Sequence, residues 1–398
     1  IRCMQIKIKR NELCYYFAYF LICFSTIVVS NSYVSKLLPA NTNTVLRYAS
    51  LLFFMLSLIQ SRWSLKKFLS WMIITAFVIG ASIVTAKPLL IVYILAIAGA
   101  HGVKFEKIKS AVIIFNIICA MVVLGICALG KIPDQTYIHG NMTAHSLGFS
   151  YYSTLSSITL FISTLSLSKK TKNARNWPHL LFWFMINYLV YYIATTRLTF
   201  GLFCIEIIMI IWFEKWHLGK IHNSRLMRII SSAAYPISAL LCLVISFSYN
   251  SGISWIYKLD AVLNNRIKFN YLGLLRYSAS LFGNRIAMVG GTDIAEGASL
   301  SSYFYIDSGY VYALLVYGII VFLLLIIAHS FIFRYAVVKE DSMLWIWCTV
   351  ICIFSLLNNS LINLNMNPLL LLLPMAIKDF IFKNKLNSKY KNANGDKL

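Results

Sequence analysis

Long apolar runs recur along almost the whole chain, and they constrain its fold more than any other feature. Twelve such segments are visible, at residues 13–35, 45–60, 68–86, 88–102, 110–129, 146–168, 177–195, 198–213, 229–248, 306–333, 342–360 and 367–382. Many reach the roughly 20 residues that a helix needs to cross the hydrocarbon core of a bilayer. Because lipid offers no hydrogen-bond partner to the backbone, such segments must be helical. We therefore predict an all-α fold, a polytopic membrane bundle of about 12 transmembrane helices.

The chain has too few charged residues for a separate soluble domain. They make up 12% of the sequence, against about 25% in a typical soluble domain. We therefore expect residues 1–382 to form a single transmembrane domain. Residues 383–398, which are rich in Asn and Lys, are predicted to be a disordered basic cytoplasmic tail.

One long stretch separates the ninth and tenth apolar segments. Residues 249–305 are rich in Tyr, Trp, Leu and Phe, which argues against disorder. A loop beyond about 15 residues that is ordered usually has a function, so we expect a large extracytoplasmic loop folded back on the membrane surface. Within it, residues 269–283 place apolar side chains such as Leu275 and Phe282 on one helical face. This pattern indicates an interfacial or re-entrant helix, or simple packing of the loop onto the bundle.

The Lys and Arg residues predict the orientation of the chain, because cytoplasmic loops of membrane proteins carry an excess of them. Of the 36 basic residues, 26 lie in the termini and in alternate loops between the apolar segments. The ten on the opposite side are Lys36, Arg47, Lys87, Lys131, Arg197, Lys258, Arg266, Lys268, Arg276 and Arg285. Five of those ten lie in the long loop, where the rule counts least. Both termini are thus predicted to be cytoplasmic.

The net charge of +23 falls in short clusters between apolar runs, which indicates topology signals rather than a nucleic-acid interface. The sequence contains no P-loop, no HExxH, no paired CxxC and no GxSxG motif. The charge pattern therefore predicts no nucleic-acid partner, and the sequence shows no strong catalytic signature.

Arginines on the outer side are the first candidates for function. Arg197 lies at the turn of a tight helical hairpin, where a charge is costly unless it reaches water or a partner. Its planar fork of donors suits phosphate oxygens, although a snorkelling anchor is the simpler explanation. Arg266, Arg276 and Arg285 lie in the long loop with two lysines. Together they favour an anion-binding concavity, while each one alone is more commonly an ordinary surface charge.

Two other outer residues are candidate acids or bases. His145 opens the sixth segment. Histidine accepts protons from hydroxyls near neutral pH, but a lone loop histidine is usually a bystander. Asp307 opens the tenth segment, where a carboxylate commonly caps the free amides of a helix. Alternatively it is a base or the partner of one of the arginines.

Four short stretches together resemble the Wzy-type polysaccharide polymerases, a family related to the O-antigen ligases. They are HSLGF at 145–149, TRLTF at 196–200, LFG at 281–283, and IDSGY at 306–310 followed by LLVYGII at 314–320. In that family the last stretch typically has Asp, a small or amide residue and Tyr, then an apolar run ending in Tyr-Gly-Ile. Two family features are missing: Ser150-Tyr151-Tyr152 replaces the frequent His-Pro-Asn triplet, and no doubly spaced Arg-to-Gly repeat is evident.

The resemblance implies a GT-C-like glycosyltransferase that needs no metal, cofactor or nucleotide sugar and works on the outer face of a bacterial plasma membrane. Such an enzyme polymerises lipid-linked oligosaccharide repeat units. It transfers the growing chain from undecaprenyl pyrophosphate to a sugar hydroxyl of the incoming unit. The implied partners are these lipid-linked substrates, membrane lipids, a flippase and a chain-length regulator.

On this interpretation Arg197, with Arg266, Arg276 or Arg285, binds the pyrophosphate. His145 or Asp307 positions or deprotonates the acceptor hydroxyl. Five asparagines near the last outer hairpin either hydrogen-bond sugar hydroxyls or merely form a polar turn. They are Asn358, Asn359, Asn363, Asn365 and Asn367.

Other functions stay open at this point. A flippase or transporter of the same lipid-linked units would also have about twelve helices and cationic residues. It would not be expected to carry a long folded outer loop, and its charges should line a central cavity. An O-antigen-type ligase shares the topology and the chemistry but hands a finished chain to a different acceptor. A structural or sensory membrane protein needs no polar cluster.

Overall fold

The structure, a computed structural model, describes residues 10–61, 63–139, 142–168, 177–216 and 220–380. Its α-helices are α1 (Arg10–Cys23), α2 (Thr42–Ile59), α3 (Leu65–Thr85), α4 (Leu89–Gly99), α5 (Phe105–Ala128), α6 (Ser153–Leu167), α7 (Trp177–Ala194), α8 (Arg197–Trp216), α9 (Arg225–Phe247), α10 (Ser254–Val262), α11 (Arg266–Arg276), α12 (Gly291–Ala295), α13 (Gly309–Tyr312), α14 (Gly318–Val338) and α15 (Ser342–Leu357). Residues 373–380 are also helical. Strands β1 (Thr136–His139) and β2 (Met142–His145) form an antiparallel hairpin. The predicted tail, residues 383–398, lies outside the described residues.

The architecture agrees with the predicted all-α fold, apart from the short hairpin. In the described part of the chain, six stretches of helix are long and apolar enough to cross a membrane. They are Arg10–Ser30, Thr42–Ile59, Leu65–Thr85, Phe105–Ala128, Arg225–Asn250 and Gly309–Val338. Three shorter apolar helices accompany them, at Leu89–Gly102, Ser153–Leu167 and Ser342–Leu357. The predicted number of about 12 crossings stays a prediction.

Helix α9 illustrates why this bundle suits lipid rather than water. Its small and polar residues face inwards, as the buried Ser231, Ala239 and Ser246 do. Its large apolar residues face outwards, and the exposed ones are Leu226, Ile229, Ile230, Ile237, Leu240, Leu241, Val244 and Phe247. A continuous apolar stripe of this kind is unfavourable in water, whereas hydrocarbon solvates it. The polarity of the helix is therefore that of a membrane span.

The tenth predicted segment is interrupted near its outer end. Helix α13 continues as a π-helical turn, Ala313–Tyr317, and α14 begins at Gly318, whose φ is +89°. Part of the long loop fills this break. The carbonyls of Ser280 and Leu281 accept hydrogen bonds, of 2.9 and 3.3 Å, from the amides of the two residues after Gly318. The break in the helix is therefore stabilised by the loop.

Irregular backbone also lies inside the bundle after α15 ends at Leu357. Residues 358–367 precede the 3₁₀ turn Pro368–Leu372, and Asn365 and Asn367 are almost completely buried. Two of the five asparagines expected near an outer hairpin are thus buried in this irregular segment, and the twelfth predicted helix begins several residues later. Non-helical backbone at membrane depth is tolerated only inside protein or beside a water-filled cavity.

The long loop is folded, as its composition predicts. Helices α10, α11 and α12 lie within it. Its second half is closed by two backbone hydrogen bonds, of 2.9 and 3.0 Å, between Val289 and Phe304. These elements give the loop a folded structure of its own.

The helix expected over 269–283 is wrong in its second half, because α11 ends at Arg276. Leu275 is exposed, and the buried residues of α11 are instead Ile267, Asn270 and Gly273. Gly273 allows this face to be buried, because a Cβ there would stand 2.8 Å from the Ile306 side chain. The buried face of α11 is thus the one where its backbone approaches Ile306 closely, and apolar periodicity does not reveal such a contact.

Hairpin β1–β2 was not predicted, and the turn after it bonds to the chain that follows the first helix. The Tyr33 amide donates to the Gly148 carbonyl, and the Ser150 amide donates to the Asn31 carbonyl, both at 3.0 Å. Helix α6 consequently begins at Ser153, later than the start of the sixth apolar segment. The hairpin and the turn after it close the outer end of the bundle on this side.

Candidate functional site

Asp307 and Arg266 form an ion pair where the long loop meets the membrane helices. The Arg266 Nε lies 3.5 Å from the Asp307 Oδ2, with the two side chains 26% and 22% exposed. Arg266 opens α11, and Asp307 lies just before α13. The capping role considered for Asp307 belongs to Ser308, whose hydroxyl accepts from the Val311 amide. Asp307 therefore pairs with a guanidinium instead of capping the helix.

The environment of Asp307 changes its protonation. Burial raises the pKa of the Asp307 carboxyl above its ordinary value, and the Arg266 guanidinium opposes this shift without cancelling it. Catalytic acids and bases are commonly tuned by this combination of desolvation and a single charged partner. The pair can thus exchange a proton at the Asp307 carboxyl, and its Arg266 guanidinium can stabilise a nearby anion.

Tyrosines surround the ion pair. Burial, then the charge of Asp307, raises the pKa of Tyr303 to about 12, while Arg266 opposes the shift. Burial likewise raises the pKa of Tyr305 and of Tyr151, and the charge of Asp307 adds to both shifts. At neutral pH these phenols are neutral donors and acceptors. The carboxylate therefore lies in a polar aromatic setting suited to a hydroxylated ligand.

The long loop and the β1–β2 side of the protein meet beside these tyrosines. The Thr292 hydroxyl donates to the Ser150 carbonyl at 3.0 Å. A Cβ at Gly291 would stand 2.5 Å from the Tyr151 ring, so the loop backbone lies directly on that ring. Further out, Lys36 pairs with Glu296 at 2.9 Å. These contacts fix Tyr151 against the loop that carries Arg266.

His145 has a partner that the sequence reasoning missed. Its Nδ1 lies 2.6 Å from the Asp134 Oδ2, and the other carboxylate oxygen of Asp134 accepts from the Leu147 amide at 2.6 Å. Leu147 and Gly148 have positive φ angles of 52° and 88°. One oxygen of the Asp134 carboxylate thus stabilises this turn, and the other contacts His145. Among the described residues, no hydrogen bond or ion pair joins His145 to Asp307 or to the four candidate arginines.

The arginines do not gather on one group. Arg276 lies at the far end of α11 from Arg266, about 15 Å along the helix axis, with its guanidinium 4.9 Å from the centre of the Phe304 ring. Arg285 donates to the carbonyls of Val84 and Ile83 at 3.0 and 3.4 Å, which caps the end of α3. Arg276 and Arg285 therefore each have a partner other than Asp307, and the anion-binding concavity expected from the loop cations stays a prediction.

Arg197 is the first residue of α8 and is exposed. The part of the chain that the structure describes offers it no hydrogen bond or ion pair. Its neighbour Thr196 is buried and donates to Ser156 on α6 at 2.6 Å. The hairpin turn is thus anchored by the threonine, which leaves the guanidinium available at the outer end of the bundle.

The acidic residues of the loop support its folding. Asp260 Oδ1 accepts from the Ile267 amide at 2.8 Å, which caps the start of α11. Asp293 accepts from the Gly290 amide at 2.7 Å. These two carboxylates are thus engaged in local backbone contacts, whereas Asp307 pairs with a guanidinium.

Two of the family-like stretches contact each other directly. A Cβ at Gly283 would stand 2.1 Å from the Val316 carbonyl oxygen, and a Cβ at Gly318 would stand 2.3 Å from the Gly283 nitrogen. Both glycines have positive φ, 87° and 89°. The two backbones therefore cross without intervening side chains. This crossing fixes the loop against the helix that follows Asp307.

The tyrosines around Asp307 are not recognisable as site residues from the sequence. Arg47 is recognisable there only as one of the ten basic residues predicted on the outer side. The available signal was an arginine inside an apolar run with no acidic residue nearby in the sequence. The tyrosines gave no periodic signal, because their side chains meet from separate segments.

Across the described residues, no group of three or more His, Cys, Asp or Glu side chains is placed to hold a metal ion. At the Asp307–Arg266 pair the carboxyl can transfer a proton, and the guanidinium can stabilise negative charge. Comparisons with protein-family models, with curated proteins and with solved structures find no match to this chain.

Proposed function

We propose that this protein is a GT-C-like membrane glycosyltransferase of about 12 transmembrane helices that polymerises undecaprenyl-pyrophosphate-linked oligosaccharide repeat units. The observation that carries the proposal is the Asp307–Arg266 pair. It places a carboxyl with a raised pKa beside a guanidinium, under a folded loop and at the end of a membrane helix. Lipid-linked substrates need a site of this kind, at the membrane surface.

The pair supplies the two functions that the transfer requires. Asp307 accepts the proton of the acceptor hydroxyl as that oxygen forms a bond to the anomeric carbon of the growing chain. The bond from that carbon to the pyrophosphate oxygen breaks, and its electron pair leaves with undecaprenyl pyrophosphate. Arg266 stabilises the negative charge that develops on the leaving group.

Arg197 and His145 have different parts in this proposal. Arg197, exposed at the outer end of α8, is available to the pyrophosphate from the lipid side. His145 is the weaker candidate base, since its Nδ1 is engaged by Asp134. Asp307 is therefore the preferred base, and Asp134 with His145 maintains the turn after β2.

The proposal places the enzyme in a bacterial plasma membrane, with both termini in the cytoplasm and the site outside. Its substrates arrive laterally through the lipid, which is consistent with a site between the loop and the helix ends. A flippase that delivers the units and a regulator of chain length are the proposed protein partners. Catalysis by this pair requires neither a nucleotide sugar nor a metal.

The decisive experiment uses the purified full chain in lipid nanodiscs with a synthetic undecaprenyl-pyrophosphate-linked repeat unit. A ladder of products on a gel is the expected result. An Asp307→Asn variant should give no ladder, while Glu340→Gln, at the exposed turn after α14, should match the unmodified protein.

The outcomes separate the alternative functions. Transfer of a preformed chain only to a different acceptor would identify a ligase. In cells, loss of a polymerase leaves single units on the outer face, whereas loss of a flippase traps them inside. Trapped units in the knockout would reject the proposal.

A further inference from the structure

An open cleft lies between α9 and α14, at the end of both helices that is remote from Asp307. Its volume is about 640 Å³, and its lining residues are Arg225, Arg228, Ile229, Ser232, Ala233 and Arg334. Helix α9 begins in this cleft and continues into the long loop at its other end, while α14 ends here and follows Asp307 at its other end. The orientation predicted from the Lys and Arg residues makes this the cytoplasmic end. We call it the arginine cleft.

The lining of the arginine cleft is cationic and contains no acidic residue. In the described ranges of the chain, none of its three arginines forms an ion pair with a carboxylate. The Arg228 Nε donates to the Ser224 carbonyl at 3.4 Å, one turn earlier in the chain. Clefts lined by charge of one sign concentrate counter-ions, so this one favours an anionic ligand.

Helix α9 presents a complete binding face to the cleft. Arg225, Arg228, Ile229 and Ser232 are spaced by three and four residues, which places them on one side of a helix. Ser232 and Ala233 are small and leave room beside α14. The first turn of α9 has no acidic residue, and its helix dipole adds partial positive charge at this end.

Packed side chains fix the two walls of the cleft. The Tyr235 ring of α9 lies 6.0 Å from the Phe333 ring of α14, directly before Arg334 in the chain. The Trp345 Nε1 on α15 donates to the Ser231 hydroxyl on α9 at 2.9 Å. The backbone positions that carry the arginines are therefore held in place without a ligand.

The cleft adjoins an apolar surface. Ile229 lines the cleft and is exposed. Its neighbours Leu226 and Ile230 are exposed too, and they begin the outward apolar stripe of α9. A ligand that uses both surfaces has an anionic head beside apolar chains. Basic pockets between membrane helices at the cytoplasmic side bind the head groups of anionic lipids.

We propose that the arginine cleft binds an anionic phospholipid of the cytoplasmic leaflet. The guanidinium groups donate to its phosphate oxygens, and its acyl chains lie along the exposed stripe of α9. Three cations without acidic partners are better matched by two phosphates than by one, so cardiolipin should bind more tightly than phosphatidylglycerol. This inference is independent of the proposed glycosyl transfer, which concerns the opposite ends of these helices.

The test measures lipid binding to the purified full chain in neutral detergent by native mass spectrometry. The probes are cardiolipin, phosphatidylglycerol, zwitterionic phosphatidylethanolamine and inorganic phosphate. We expect the two anionic lipids to bind more tightly than the other two probes. A variant that combines Arg225→Gln, Arg228→Gln and Arg334→Gln should bind cardiolipin about 100-fold more weakly, because each cation near a lipid head group contributes about fivefold. The single variant Arg228→Gln should show a loss of about fivefold.

The matched control removes the same number of charges from the same predicted side of the membrane. It combines Arg10→Gln, Lys66→Gln and Lys67→Gln, none of which lines the cleft, and it should bind cardiolipin like the unmodified protein. An equal loss in this control would make the attraction a general effect of charge and overturn the inference. So would phosphatidylethanolamine or inorganic phosphate binding as tightly as the anionic lipids.

Unchanged cardiolipin binding in the Gln variants of the cleft would also reject the site. Size-exclusion profiles verify that each variant is folded. The single Arg228→Gln variant carries the test where the triple variant aggregates.

Discussion

The chemistry of a single residue at this site depends on its exposure to solvent and on the charged groups near it. Asp307 has one guanidinium partner and is mostly desolvated, so its pKa is raised. Arg285 and Arg276 look equivalent to Arg266 in the sequence, yet they cap a helix and cover an aromatic ring. The same residue type therefore forms an ion pair, caps a helix or covers a ring according to its neighbours.

Asp307 should determine the acid limb of the pH–rate profile. As a base it must be ionised, so activity should rise with pH through a pKa above that of an ordinary aspartate. Arg266→Gln removes the cation that favours the carboxylate and should move this limb to higher pH. Asp307→Asn should lower the rate by about 10²–10⁴-fold. A profile unchanged in Arg266→Gln would argue against the pairing.

Arg197 should be needed for polymer length if it contacts the pyrophosphate. Removing one charge-stabilising donor lowers rates by about 10²–10³-fold. Arg197→Ala should therefore shorten the product strongly, and Arg197→Lys should restore part of it, since Lys lacks the planar fork. Products are compared at equal protein level. Full-length polymer from both variants would remove Arg197 from the site.

His145 and Asp134 should behave as a structural pair. Asp134→Ala removes the acceptor of the Leu147 amide as well as the partner of His145, and each lost hydrogen bond costs about 1 kcal/mol. We expect a lower unfolding temperature for Asp134→Ala. His145→Gln should keep polymerisation within about tenfold of the unmodified protein. Complete loss of activity in a folded His145→Gln variant would instead make His145 the base.

At the scale of elements, the helices are interrupted where the loop or the irregular segment enters the bundle. The tenth segment breaks at Gly318 because the loop backbone crosses it at Gly283. The chain after α15 stays irregular because its carbonyls are bound by side chains of α1 and α5. Each interruption is bound by other parts of the protein, which is where a membrane bundle tolerates such backbone.

The glycine crossing should not tolerate a methyl group. Gly283→Ala and Gly318→Ala each place a Cβ less than 2.5 Å from backbone atoms at a positive φ, at a cost of about 2–4 kcal/mol. Gly201→Ala is the control, because nothing lies within 4 Å of its Cβ position. It should be neutral or stabilising, by up to about 1 kcal/mol. Equal unfolding temperatures for all three variants would contradict the crossing.

At the scale of the whole molecule, apolar faces such as that of α9 surround an interior of apolar side chains, among which serines, threonines and asparagines are buried. Lys and Arg residues favour one orientation of this bundle. With that orientation the loop and the Asp307–Arg266 pair are predicted to lie on the outer side.

This orientation is testable by cysteine labelling of intact cells. Leu300 lies in the long loop and is 77% exposed, so Leu300→Cys should react with a membrane-impermeant maleimide. Glu340→Cys, at the turn between α14 and α15, should react only after permeabilisation. Labelling is compared with the unmodified chain, whose own cysteines set the background. The reverse pattern would invert the predicted topology.

The sequence by itself determined where most helices lie. The segments predicted at 45–60, 68–86 and 110–129 agree with α2, α3 and α5 to within about five residues, because apolar length is a local property. The sequence also predicted that the long loop is folded, because its aromatic and apolar residues need burial. The residues that form the site were partly visible too, because Asp307 and Arg266 are charges in otherwise apolar surroundings.

Only the tertiary structure decided which of these residues meet. Arg266 was one of several outer arginines until α11 placed it beside Asp307, and Arg47 had no partner in its own helix. Apolar periodicity fixes which residues are helical but not where two backbones cross, so the break at Gly318 and the interior course of 358–367 were missed. Both depend on contacts between segments that are distant in sequence.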